Sequence, residues 1–362
     1  VGTLPPLDEA QWNELFDKYK LTPEYEQVNF GMSLGDFKRI FWWEYIHRLL
    51  GRLIGLGFLA PYLWFLLRKR LDASSAWRLG FVFALGAAQG VMGWYMVMSG
   101  LVDDPRVSHY RLTAHLGLAF LIFAAMLWIA LNHLKQPAPP HAPRTRLSAA
   151  ALSLVALVFL MILTGGLVAG IRAGYAYNTF PLMNGHFVPP EIFLIEPWHL
   201  NFFNNMATVQ FDHRLIAWVL MIVVPLVWFS IRRHRVSPAA RLASNCLLAT
   251  LLLQVSLGIA TLLMRVPVVL GAAHQGGAVL VFGMALWLAH ELRWPRRERA
   301  DGVPSATAAL SATRKKGMPA HAPRQDLRSP GGPHLAGFRL DPVAVLWRDL
   351  LGHHAGGPVR AD

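Results

Sequence analysis

A short polar signature occurs twice inside otherwise apolar sequence. Glu44-Tyr-Ile-His47-Arg48 has an echo, 166 residues on, in Gln210-Phe-Asp-His213-Arg214. Gln89-Gly-Val-Met-Gly93 is followed after 165 residues by Gln254-Val-Ser-Leu-Gly258, and His115 after 159 by His274. Three landmarks in one order at nearly one spacing mark a duplicated unit. Each unit then holds a histidine pair, His47 with His115 and His213 with His274. Two facing imidazoles without thiolate or carboxylate ligands suit the axial positions of a haem iron. A zinc ion would want a third protein ligand. A single intramembrane histidine more often bonds a neighbouring helix, but four in repeated pairs favour a functional reading. Arg48 and Arg214 each follow a histidine directly. A guanidinium fork there can grip a carboxylate such as a haem propionate, or snorkel to lipid headgroups. The halves differ at one position: Glu44 stands three residues before His47, on the same helical face, where Gln210 stands before His213. A carboxylate can move protons or stabilise positive charge, although a glutamate in a first helical turn is also favoured by the helix dipole alone. A neutral amide suits a haem that only passes electrons.

The elements that must position these side chains are membrane helices. The chain has 362 residues, 54% hydrophobic and 15% charged, with 13 Trp, 20 Phe and a mean hydropathy of +0.36. Soluble domains carry about 25% charge, so an ordinary soluble enzyme is excluded. Seven apolar segments, near 42–67, 77–99, 109–132, 148–171, 206–231, 242–264 and 269–291, are long enough to span a bilayer. None alternates with the period of a barrel strand. The net charge of +13 resides between these segments and in the C-terminal tail, where it acts as a topology signal rather than a nucleic-acid surface. Arg68, Lys69, Arg70 and Arg78 fill the first connection, Lys135, Arg144 and Arg146 the third, and Arg232, Arg233, Arg235 and Arg241 the fifth. The alternate connections are poorer in basic residues: Asp103, Asp104 and Arg106, then Arg172 with Glu191 and Glu196, then Arg265. The basic loops and the C-terminus are therefore placed in the cytoplasm. All four repeated histidines then lie about 7–12 Å below the outer helix ends at 1.5 Å per residue. His133, His234 and His290 lie at inner ends, and His109 and His199 in outer connections, where packing explains them. The lone Cys246 excludes an intrachain disulfide and a cysteine-based metal site.

The predicted fold class is an all-α polytopic membrane protein of two repeated antiparallel bundles. Residues 1–135 form the first bundle, 136–292 the second, and 293–362 a disordered basic tail. The second unit holds four of the segments and the first only three, so an eighth, N-terminal helix is expected in the full-length protein; the initial Val1 agrees with a processed or truncated start. A short apolar piece, Pro342–Leu351, is assigned no chemistry. The outer segments from Trp12 to Phe41 and from Gly174 to Asn205 are aromatic-rich and placed to cap the bundles.

These runs, with Ala173-Gly-Tyr-Ala-Tyr-Asn-Thr-Phe-Pro-Leu-Met183, resemble the haem A synthase family over roughly residues 1–292. The resemblance implies an eight-helix membrane oxidoreductase that converts the methyl group of haem O to the formyl group of haem A, by successive hydroxylation to a gem-diol that loses water. The product serves cytochrome oxidase assembly. Carried over, His47 and His115 flank the substrate haem O, Glu44 is the essential carboxylate, and His213 and His274 ligate a haem b cofactor. Some members have an outer-loop cysteine pair; this chain resembles the branch without it, typical of proteobacteria and mitochondria. A thiol-dependent step is thereby excluded. The implied location is a bacterial inner membrane, or the mitochondrial one in a eukaryote. The implied partners are membrane lipid, haem O synthase, electron-transfer proteins and a second copy of the chain, with no nucleic acid.

Two other classes compete. One is a di-haem cytochrome b that only transfers electrons; carriers across a membrane usually need haems at both depths, and here all four histidines sit near one side. The other is a transporter or assembly factor without haem. A Soret band in the purified protein excludes the latter, and conversion of added haem O to a formyl-haem excludes the former.

Overall fold

A computed structural model describes residues 4–99, 105–134 and 145–293. Two short helices, α1 (Glu9–Lys20) and α2 (Pro23–Gln27), precede α3 (Leu34–Leu67), α4 (Ala73–Met98), α5 (His109–Leu134) and α6 (Arg146–Gly170). A long connection holds the four-residue α7 (Asn201–Asn204), and α8 (Met206–Arg233), α9 (Pro238–Leu263) and α10 (Val268–Leu292) complete the described chain. Contacts group Val1–Phe65 and Leu71–Arg296 into one compact unit, which contains all four repeated histidines. Seven helices are long and apolar enough to cross a membrane, the shortest having 25 residues, or about 38 Å at 1.5 Å per residue. That exceeds the roughly 30 Å hydrocarbon core. The protein is a multi-pass, all-helical membrane protein.

Local chemistry sets where the helices begin. Asp72, Thr145, Asn205 and Ser237 cap α4, α6, α8 and α9 with side-chain oxygens that accept from backbone N–H groups. Pro238 sits in the first turn of α9, where its missing N–H costs nothing. Pro61 and Pro225 lie inside α3 and α8, which membrane helices tolerate.

The spans agree with the expected ones except that α3 begins at Leu34, ahead of the predicted 42. The cause is aromatic. Phe37, Phe41 and Tyr45 on α3 pack with Trp12 and Phe16 of α1 into a separate buried cluster. Trp12 meets Phe41 edge-on at 4.9 Å, and Lys38 bonds Glu9 at 3.0 Å while lying over the Trp12 ring. The 12–41 segment is therefore a helical cap continuous with α3. By contrast, the connection from 174 to 200 has only short 3₁₀ turns and is tied by side chains. Buried Asn201 accepts from Ile195 N and donates to the carbonyls of Ile195 and Trp198. Asp103, Asp104, Lys135 and Arg144, Pro342–Leu351 and the tail beyond Arg293 lie outside the described residues.

The main core lies among α6, α8, α9 and α10, with Phe120 of α5. Phe282, 2% exposed, meets Phe120 at 5.6 Å and Phe159 at 6.0 Å. Where α5 crosses α6, a Cβ on Gly166 would lie 3.0 Å from Thr113 Oγ1, and one on Gly170 2.5 Å from His109 Cβ. This small-residue crossing, Gly166-x-x-x-Gly170, brings two backbones together as lipid-embedded helices often require. α3 is the contrast: it buries only three aromatics toward its N-terminal end. Phe282→Ala is expected to destabilise the protein by about 3 kcal/mol through the cavity it leaves, measured as a lowered unfolding midpoint in detergent.

Candidate functional site

A cavity of ≈ 620 Å³ lies within the α6, α8, α9 and α10 bundle. Its walls are mainly apolar, and His213, His274, Gln210, Arg214, Gln254 and Arg172 face it. The volume falls in the range of small-molecule and cofactor pockets.

His213, the eighth residue of α8, has its Nδ1 3.0 Å from Thr164 Oγ1 of α6. Thr164 spends its only hydroxyl proton on Met161 O at 2.9 Å. The contact therefore runs the other way: His213 Nδ1–H donates and Thr164 Oγ1 accepts. A neutral imidazole protonated at Nδ1 keeps a lone pair on Nε2, which is the form a metal ligand needs. His274 is the seventh residue of α10, and its backbone carbonyl accepts from Gln254 Nε2 at 2.8 Å.

Arg214 is 8% exposed and reaches across to the connection between α6 and α8. It donates to the carbonyls of Tyr177 at 3.0 Å, Leu182 at 3.4 Å and Pro181 at 3.5 Å. Gln210 Nε2 donates to the same Tyr177 carbonyl at 3.1 Å. Four buried polar atoms facing this cavity lack a hydrogen-bond partner: Gln210 Oε1, Arg214 Nε, Gln254 Oε1 and His274 Nδ1. Buried polar groups are nearly always paired, so the cluster fits a ligand with polar groups of its own. Two imidazoles, two guanidiniums and apolar walls suit a large flat amphiphile carrying carboxylates and a metal, and haem has all of these features. No group of three His, Cys, Asp or Glu able to hold a bare metal ion occurs among the described residues.

The first half repeats part of this design. His115 is the seventh residue of α5, and its carbonyl accepts from Gln89 Nε2 of α4 at 3.0 Å, as His274 does from Gln254. His115 Nδ1 is likewise buried without a partner. On α3, Glu44 is bonded by Arg48 one turn later, and His47 is exposed. Because α3 starts early, His47 is its fourteenth residue rather than lying five to eight residues in. The structure thus brings His213, His274, Gln210 and Arg214 to one cavity and pairs Glu44 with Arg48. His47 and His115 do not line that cavity.

Sequence reasoning missed Thr164, Arg172 and Glu24. Arg172 precedes the first 3₁₀ turn in a left-handed conformation, φ 57°, which is sparsely populated by residues with a Cβ. Glu24 on α2 sits above α3, and its carboxyl is held above the usual range by burial and then by the charge of Glu44. Nothing in the local sequence marks Thr164, whereas Gln89 and Gln254 were visible as repeat landmarks without a role. Other histidines are structural: His109 bonds Asn204 at 2.9 Å, His234 bonds Ser230 O at 2.8 Å and His290 bonds Asn132 at 3.0 Å.

The fold and site define a multi-pass helical membrane protein with histidines set inside its helices, most of them backed by polar side chains of neighbouring helices. The chain belongs to the family described as cytochrome oxidase assembly protein, which matches residues 1–286. It is 60% identical over 302 residues to heme A synthase of Nitrosospira multiformis, covering 81% of this chain and 83% of that protein. Heme A synthase of Nitrosomonas eutropha is 55% identical over 299 residues, with the same coverage of 81% and 83%. That of Parvibaculum lavamentivorans is 49% identical over 293 residues, again with coverage of 81% and 83%.

Thr164→Val removes the hydroxyl at His213 Nδ1 and is expected to destabilise the protein by about 1 kcal/mol, the typical net worth of one hydrogen bond, measured as a lowered unfolding midpoint in detergent; an unchanged midpoint would contradict the contact.

Proposed function

We propose that this chain is a haem A synthase, a membrane oxidoreductase that oxidises the methyl group of haem O to a formyl group for cytochrome oxidase assembly. One observation carries the reading: His213 and His274 face one apolar cavity with Arg214 at its outer side, in a chain 60% identical to a heme A synthase. His213 and His274 would hold a haem b, with Arg214 and Arg172 toward its propionates. When bound, that haem supplies one-electron redox chemistry beside the substrate half.

In the first half, His47 and His115 would flank haem O. Its farnesyl tail is compatible with lipid and its propionates with the wet outer surface. Glu44 is the group there that can accept and return protons as the methyl carbon loses hydrogen. Arg48 orients that carboxylate within one helical turn. Its five N–H donors leave capacity for a propionate as well. Oxidation of methyl to aldehyde balances as –CH3 + H2O → –CHO + 4 H+ + 4 e−, through a hydroxymethyl and then a gem-diol that loses water, with the four electrons passing to electron-transfer partners and the protons to solvent. Glu24, held over the same end by the α1–α2 cap, adds a second carboxyl near the proton path.

The division into a substrate bundle, residues 1–135, and a cofactor bundle, 136–292, is part of this proposal. So are a bacterial inner-membrane location, a cytoplasmic C-terminus, supply of substrate by a haem O synthase, exchange with electron-transfer partners and a homo-oligomeric assembly. The topology rests on the basic loops after α3 and α8.

Glu44→Ala is expected to keep its bound haem but to form haem A about 10²- to 10⁴-fold more slowly, the range of a lost general acid–base group. Extraction and identification of haems after expression with a haem O supply measures both quantities. Haem A formation at the normal rate would remove Glu44 from the chemistry.

A further inference from the structure

Three of the four imidazoles rest against a glycine of a neighbouring helix. A Cβ placed on Gly258 of α9 would stand 2.8 Å from His274 Cε1. On Gly93 of α4 it would stand 3.0 Å from His115 Cε1, and on Gly165 of α6 3.2 Å from His213 Cε1. Carbon atoms attract best at about 3.5–4.0 Å, so an added methyl at each position presses on the ring, most at Gly258 and least at Gly165. The contact falls on the same ring atom each time. Cε1 lies between Nδ1 and Nε2, so pressure there turns both nitrogens.

Glutamines complete the arrangement at two of the three sites. Gln89 lies one turn before Gly93 and Gln254 one turn before Gly258, on the same helical faces. Gln89 Nε2 bonds His115 O at 3.0 Å and Gln254 Nε2 bonds His274 O at 2.8 Å. At His274 the amide thus holds the main chain and the glycine confines the ring; at His115 the Gln89 amide also lies 3.3 Å from ring Nε2, so amide and glycine share the ring there. Other glycines nearby are not used in this way: a Cβ on Gly90 of α4 or on Gly276 of α10 meets nothing within 4 Å. Glycine weakens a helix interior relative to alanine, so what it supplies opposite these rings is room.

We propose that Gly258, Gly165 and Gly93 are positioning residues that set the ring orientation, and with it the direction of Nε2, of His274, His213 and His115. The proposal rests on the haem-ligand reading above and extends it from the ligands to their seats. Groups that orient ligating histidines typically change metal affinity about 10- to 100-fold when altered.

The test compares purified wild-type protein, as expressed with its own haem, with Gly258→Ala, Gly165→Ala, Gly276→Ala and His274→Ala. Haem per polypeptide and the low-temperature electron paramagnetic resonance spectrum of the oxidised protein are recorded. Wild type and Gly276→Ala are expected to share one low-spin signal. Gly258→Ala should shift that signal, because the two imidazole planes change their mutual angle, and lower haem affinity about 10- to 100-fold. Gly165→Ala, with the looser contact, should shift it less. Should Gly258→Ala fail to accumulate in the membrane, Gly165→Ala carries the same test against Gly276→Ala. Spectra of the glycine-seat variants identical to that of Gly276→Ala would overturn the proposal and leave the ligand reading standing. An unaltered low-spin spectrum in His274→Ala would instead overturn the ligand reading itself.

Discussion

An imidazole inside a membrane must have its polar atoms answered, because an unpaired polar group there costs several kcal/mol. The site is organised around how far that demand is met at each ring. His213 satisfies Nδ1 with Thr164 of the adjacent helix and lines the cavity. His115 and His274 are held through their carbonyls by glutamines of the adjacent helix, while Nδ1 of both rings has no protein partner. In each case the partner comes from a different helix, so no single helix can build the site. The α6, α8, α9 and α10 core and the glycine crossing of α5 on α6 are what make those neighbours available.

The two halves show how one atom exchange redirects a network. Glu44 and Arg48 stand four residues apart, as do Gln210 and Arg214. With a carboxylate at the first position, the guanidinium is drawn to it along its own helix. With a neutral amide there, Arg214 has no such partner and extends to the carbonyls of the α6–α8 connection, where Gln210 joins it on Tyr177. The same spacing therefore yields a local ion pair in one half and a loop anchor in the other. Sequence symmetry is kept while the electrostatics diverge.

Most of the architecture was legible in the sequence because hydropathy and the repeat report directly on lipid exposure and duplication. The seven spans and the recurrence of Gln89 and Gln254, each bonding the carbonyl of a repeated histidine, follow from period and spacing. The start of α3 was not legible, because Phe37 and Phe41 are placed by Trp12 and Phe16, a tertiary contact that hydropathy does not encode. Thr164 was invisible for a related reason: a single hydroxyl in an apolar helix carries no pattern, and its role exists only once α8 lies beside it. The bonding of Arg214 to backbone carbonyls was equally hidden, since the acceptors have no sequence identity.

The lacing of residues 177–182 to α8 has a mechanical consequence. Tyr177 O takes hydrogen bonds from both Gln210 and Arg214, and Phe180 of the same stretch lines the cavity. A displacement of this stretch therefore disturbs Phe180, Gln210 and Arg214 together, so the loop's position and the shape of the space are one variable rather than two.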